Sequence, residues 1–122
     1  MSKTILVVED TEDNRQILRD LLGMAGYDII EAQDGAEGVA KAAEHKPDLI
    51  LMDVQMPVMD GFEATRRIKA DPALKSIPVI AVTSYALAGD EEKTRAAGCD
   101  SYIAKPFSPR QMLAKVREVL GA

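Results

Sequence analysis

The segment Asp48-Leu49-Ile50-Leu51-Met52-Asp53 constrains the fold of this chain more than any other. Four consecutive apolar residues with no polar alternation describe a strand covered on both faces, as at the centre of a parallel sheet packed between helices. The strand ends on a carboxylate, and Pro57 with the Met59-Asp60-Gly61 turn prevents it from continuing. Asp53 is therefore expected to be presented at the rim of a site rather than buried.

Further apolar runs bounded by turn residues lie at Thr4 to Val8, Asp28 to Ala32, Val79 to Thr83 and Tyr102 to Ala104, which makes five candidate strands with Leu49 to Asp53. Ile17, Leu18, Leu21, Leu22 and Ala25 recur at helical spacing, as do Met112, Val116, Val119 and Leu120. Asp34…Glu37, Asp60…Glu63 and Ser108…Gln111 have capping-box spacing, the last with proline at the first helical position. Gly26 and Gly98 suit left-handed helix ends. Helices are predicted near residues 12–25, 35–45, 61–70, 89–97 and 109–120.

Strand-helix repeated five times implies an α/β fold, a doubly wound parallel sheet with helices on both faces. The flavodoxin-like strand order 2-1-3-4-5 fits the count and puts strands one and three side by side at the switch point. With 122 residues and 47% hydrophobic content, the chain suffices for one domain spanning 1–122, with no output domain and no need of disulfides or structural metal. A net charge of −5 argues against direct nucleic-acid binding. The single cysteine, Cys99, and the lack of a signal peptide or long apolar run predict a cytoplasmic protein without membrane insertion.

In such sheets ligands bind beyond the carboxyl ends of the strands, where the order reverses. Strand one leads into Glu9-Asp10 and strand three ends on Asp53, so three carboxylates converge there. Their repulsion is relieved by a hard cation such as Mg²⁺, which uses one or two carboxylates and completes its shell with water and phosphate oxygens. Strands four and five bring Thr83 and Lys105, a hydroxyl and an ammonium that suit a site better than a core. A carboxylate nucleophile toward phosphorus, with cationic and hydroxyl partners for the transferring oxygens, reads as a phosphoryl acceptor.

Glu9-Asp10, Asp53, Thr83 and Lys105-Pro106, in this order and spacing, resemble the signature of the two-component response-regulator receiver domain over essentially the whole chain. The resemblance implies that Asp53 is phosphorylated, that Asp10, Asp53 and the Gln55 backbone carbonyl bind Mg²⁺ directly, and that Glu9 acts through water. It implies that Thr83 and Lys105 hold the phosphoryl group, that Tyr102 is a switch aromatic turning inward when Thr83 moves, and that Lys105-Pro106 is a cis peptide. Gly89-Asp90-Glu91-Glu92, Gly98-Cys99 and Tyr102 to Pro106 are similar to single-domain cell-division regulators of that family. The implied function is to accept phosphate from a histidine kinase or histidine phosphotransfer protein and to signal to a downstream protein effector, catalysing only its own phosphotransfer and dephosphorylation.

The apolar arc of the first helix spans about 160°, wider than the roughly 100° one core face requires, so an edge carrying Asp13, Ile17 and Met24 is expected to stay exposed. The family's histidine-bearing helices dock beside this helix, and Phe107 is expected to complete the contact. Two rival functions fit less well. An Asp-nucleophile phosphohydrolase of the haloacid-dehalogenase type carries a second aspartate two residues after the first, where this chain has Gln55. A flavin carrier needs a phosphate loop that Glu9 to Asp13 would repel. A silent scaffold on the receiver fold has no use for an intact acidic site.

Overall fold

The computed structural model describes residues 3–54, 59–83, 94–105 and 107–121. Its elements in chain order are β1 (Thr4–Val8), α1 (Glu12–Met24), β2 (Asp28–Ala32), α2 (Gly35–His45), β3 (Leu49–Asp53), α3 (Gly61–Ala70), β4 (Val79–Thr83), β5 (Ser101–Ala104) and α4 (Pro109–Leu120). The last strand begins one residue earlier than its apolar pattern suggested, because Ser101 pairs with Ile80. Residues 94–97 form a helical turn before β5, and the remainder of the helix predicted over 89–97 lies outside the described residues.

Side-chain caps set the helix starts. Asp34 accepts from the Glu37 N–H at 2.8 Å and Asp60 from the Glu63 N–H at 2.9 Å, while Ser108 and Gln111 exchange both bonds of a capping box. Gly26 and Gly98 both adopt a φ of 97°, which supplies the left-handed residue after a helix at no Cβ cost. α2 ends differently, on Lys46 at a φ of 47°, where the sequence offered no glycine to mark it.

All neighbouring strands pair in parallel, in the order β2-β1-β3-β4-β5. Alternation along the strands divides the core in two. Ile5, Val7, Leu49, Leu51, Ile80 and Val82 pack against Leu18, Leu22, Met112 and Val116 of α1 and α4. Leu6, Val8, Ile50, Met52 and Val79 pack against Ala42, Ala64 and Ile68 of α2 and α3. β3 is buried along its whole length because it has strands on both edges and helices on both faces. By the same alternation Asp53 shares its side of the sheet with Leu49 and Leu51, facing α1 and α4.

α3 starts hard against the end of β3. A Cβ on Gly61 would lie 2.3 Å from the Asp53 carbonyl oxygen and 2.7 Å from the Val54 Cα, both backbone atoms that cannot swing aside. Gly61→Ala is therefore expected to push α3 away from the strand end and to cost about 1–3 kcal/mol of stability by overcrowding, measured by urea unfolding. An unchanged midpoint would show that the helix start shifts freely.

Candidate functional site

The register brings the chemistry to one end of the sheet. Val8 pairs with Met52, so the next residue of each chain segment, Glu9 and Asp53, arrive at the same level. Thr83 pairs with Ala104, and the following Lys105 N–H donates to the Thr83 carbonyl at 2.6 Å. Glu9, Asp10 and Asp53 each offer a carboxylate oxygen, and these oxygens lie within 4.8 Å of one another. The Lys105 ammonium reaches across from β5 to 3.4 Å from Glu9 Oε2 and 3.4 Å from Asp53 Oδ2.

Two sequence expectations need correction. Asp53 is not presented at an open rim: it is only 4% exposed. β3 is central, and Glu9 and Lys105 on the flanking loops crowd over the strand end, so the carboxylate forms the floor of a cleft. Thr83, expected to suit a site rather than a core, is only 1% exposed, at the end of the fully buried β4 and paired with Ala104 of β5. A threonine tolerates that position because its methyl group fits a pleated, covered surface. Asp10 remains exposed at the mouth. Gln55 and Pro106, and with them the expected backbone ligand and cis peptide, lie outside the described residues.

Glu9 favours its charged form. Burial pushes the Glu9 carboxyl up, but a hydrogen bond shared with Asp53, one from Asn14, the Lys105 charge and the Thr11 N–H together hold it below the usual glutamate range. Asn14 Nδ2 donates to Glu9 Oε1 at 3.1 Å. The donor set also fits a hard cation. Hard carboxylate oxygens gathered at the floor and mouth of one cleft are the ligand type that Mg²⁺ takes, one or two of them directly and the others through its water shell.

A cavity of about 500 Å³ continues from the carboxylates toward α1, lined by Glu9, Asn14, Asp53 and Lys105 at one end and by Ile17, Leu18, Leu51, Val82 and Phe107 at the other. Ile17 is 59% exposed and Met24 91%, so the wide apolar arc of α1 does leave an uncovered edge, with Asp13 also exposed. Phe107 is half-buried against the core and faces the same cavity as Ile17. Tyr102 is exposed on β5, where it pairs with Ala81 while Ala104 pairs with Thr83. Cys99 sits against Thr65, a small packed thiol whose pKa is pushed up by burial.

Sequence reasoning missed Asn14 and Arg15. Arg15 is buried on the face of α1 that carries Leu18 and Leu22, and an arginine in phase with an apolar stripe was the readable sign that its charge is used inside.

Residues 5–117 match the family described as the response regulator receiver domain. The chain is 46% identical over 121 residues to the polar-differentiation response regulator DivK of Brucella anthropi, covering 99% of this chain and 98% of that protein, and it matches DivK of Brucella ovis equally well. The chemotaxis protein CheY4 of Vibrio cholerae superposes with a TM-score of 0.93 at 32% identity, covering 98% of this chain and 99% of that one. The receiver domain of a sensor histidine kinase from Pseudomonas aeruginosa PAO1, solved with a magnesium ion coordinated in its active-site cleft, superposes with a TM-score of 0.92 at 36% identity over 100% of both chains. Among the described residues, no helix is long and apolar enough to cross a membrane.

Because the lowered Glu9 pKa means that its ionised form favours the fold, its contribution is present above the ordinary glutamate range and is lost as pH falls through the folded-state value. The stability gap between wild type and Glu9→Gln, measured by urea titration, should therefore shrink from pH 7 to acid. A gap independent of pH would contradict the charged role of Glu9.

Proposed function

Because this chain belongs to the response regulator receiver domain family, we propose that it accepts a phosphoryl group on Asp53 from a phosphohistidine and passes the signal on through protein contacts. It is a response regulator of two-component signalling, closely related to DivK and to the chemotaxis regulators. The observation that carries the reading is the cluster itself: three carboxylates within 4.8 Å, with the Lys105 ammonium 3.4 Å from two of them.

In the proposed reaction an Asp53 carboxylate oxygen attacks phosphorus. The new O–P bond forms as the P–N bond to the donor imidazole breaks, and the imidazole takes up a proton as it leaves. Lys105 turns from its carboxylate partners toward the transferring phosphoryl oxygens, and the Thr83 hydroxyl at the end of the next strand donates to one of them. Asp10, Asp53 and, through water, Glu9 would hold Mg²⁺, with the Gln55 carbonyl; the ion neutralises charge shared between carboxylates and phosphate. The P. aeruginosa receiver with magnesium in its cleft supports this assignment. Hydrolysis of the acyl phosphate returns the free carboxylate, so the only chemistry catalysed is on the chain itself.

The readout we propose couples Thr83 to Tyr102. Thr83 pairs with Ala104 and Ala81 with Tyr102, so a shift of Thr83 toward phosphate opens space one register step from the tyrosine, which then turns inward. The phosphodonor is a histidine kinase or a histidine phosphotransfer protein in the cytoplasm, docking on the edge formed by Asp13, Ile17, Met24 and Phe107. Its apolar part runs directly into the acidic cleft, which supports a donor helix seated there. The relationship to the Brucella polar-differentiation regulators, with the sequence similarity of Gly98-Cys99 and Tyr102 to Pro106 to cell-division regulators, supports a downstream protein effector in that kind of control.

Asp53→Asn is expected to abolish labelling by acetyl phosphate with Mg²⁺ in intact-mass spectra, since an amide is no useful nucleophile. Stoichiometric, persistent labelling of that variant would place the acceptor elsewhere. Ile17→Glu should slow transfer from the cognate kinase roughly tenfold, the effect of about 1.4 kcal/mol of lost docking, while acetyl-phosphate labelling stays normal. Equal loss with both donors would mean damage to α1, and unchanged kinase transfer would move the interface.

A further inference from the structure

Arg15 is 7% exposed, and its guanidinium joins three elements. Nη1 donates to the backbone carbonyl of Glu9 at 2.7 Å, Nη2 donates to the Glu12 carboxylate on the first turn of α1, and Nε lies 3.5 Å from Glu31 Oε1 on β2. The Glu31 anchor is itself held: Arg19 Nη1 donates to both of its oxygens, at 2.8 and 3.1 Å, and Lys41 Nζ donates to its backbone carbonyl.

The bond to the Glu9 carbonyl matters most. That oxygen belongs to the peptide joining Glu9 to Asp10, so fixing it orients the one peptide plane that carries two of the three clustered carboxylates. A planar fork with several donors in fixed directions can satisfy a carbonyl and two carboxylates at once, whereas a lysine is a point charge. On its face of α1 the other buried residues are the apolar Leu18 and Leu22, so this is a cation held inside the fold. We propose that Arg15 is a positioning residue that holds the Glu9-Asp10 peptide in the orientation needed for cation binding, acting through backbone rather than by touching the ion or the phosphoryl group. This rests on the reading of the cluster as a Mg²⁺-dependent phosphoryl acceptor.

Wild type, Arg15→Lys, Arg15→Met and Arg19→Met are compared. Arg19 shares the Glu31 anchor without a bond to Glu9 and so reports the purely structural part of the network. The Mg²⁺ dissociation constant from calorimetry is expected to rise about tenfold in both Arg15 variants, the usual scale for loss of a ligand's outer partner, and to stay within about twofold of wild type in Arg19→Met. In metal-free protein the Asp10 and Thr11 amide resonances should move in the Arg15 variants only. Acetyl-phosphate labelling by the Arg15 variants should approach the wild-type rate at saturating Mg²⁺, since the chemistry is untouched. If Arg15→Met fails to fold, Arg15→Lys carries the comparison. Unchanged Mg²⁺ affinity in the Arg15 variants, or equal weakening in Arg19→Met, would overturn the proposal. A wild type that neither binds Mg²⁺ nor labels would instead remove the reading beneath it, and the proposal with it.

Discussion

Three carboxylates held within 4.8 Å of one another repel, and the rest of the structure is arranged to keep them there. Were Glu9 and Asp53 both fully ionised, their repulsion would be on the order of 4 kcal/mol at such distances in an effective protein dielectric, and the hydrogen bond they share and the Lys105 ammonium between them relieve it. The parallel register leaves no alternative, because β1 and β3 are paired through Val8 and Met52 and their next residues must arrive together. A sheet covered on both faces by packed side chains does not yield by an ångström to relax one end.

Compensation comes from cations entering on separate elements. Lys105 arrives from the end of β5 and bridges Glu9 and Asp53, while Arg15 arrives from α1 and neutralises Glu12 and Glu31 as it pins the Glu9 carbonyl. The two differ in kind. Lys105 is a flexible stem with a point charge, suited to moving between carboxylate and phosphoryl partners, whereas Arg15 is a fixed fork in a buried setting. On the proposed function, such a cluster would accept a divalent cation, and a phosphoryl group would bring its charge to where the Lys105 ammonium already stands.

Most of the fold was legible because its signals are local. β1, β2, β3 and β4 have the limits that their apolar runs indicated, and α2, α3 and α4 start at the caps read from the sequence. The convergence of Glu9, Asp10, Asp53 and Lys105 was legible too, since a strand-order rule turns linear positions into neighbours. Burial of the site residues was not. Whether Asp53 and Thr83 are open to solvent depends on what packs around the strand ends, as Glu9 and Lys105 do beside Asp53, a non-local outcome that no residue-by-residue pattern encodes. Arg15 carried one local sign, its phase with Leu18 and Leu22, but its charged neighbours Glu12, Asp13 and Arg19 mask that sign among residues of an ordinary solvated helix face.

The central claim is that the buried Asp53 carboxylate is the group that becomes an acyl phosphate. Borohydride reduction of protein treated with acetyl phosphate and Mg²⁺, followed by peptide sequencing in a mass spectrometer, reads this directly, because reduction converts an aspartyl phosphate to homoserine. The account predicts homoserine at position 53 and at no other aspartate, dependent on both phosphodonor and Mg²⁺. Homoserine at position 10, or a phosphoryl group that survives reduction on a hydroxyl side chain, would contradict it.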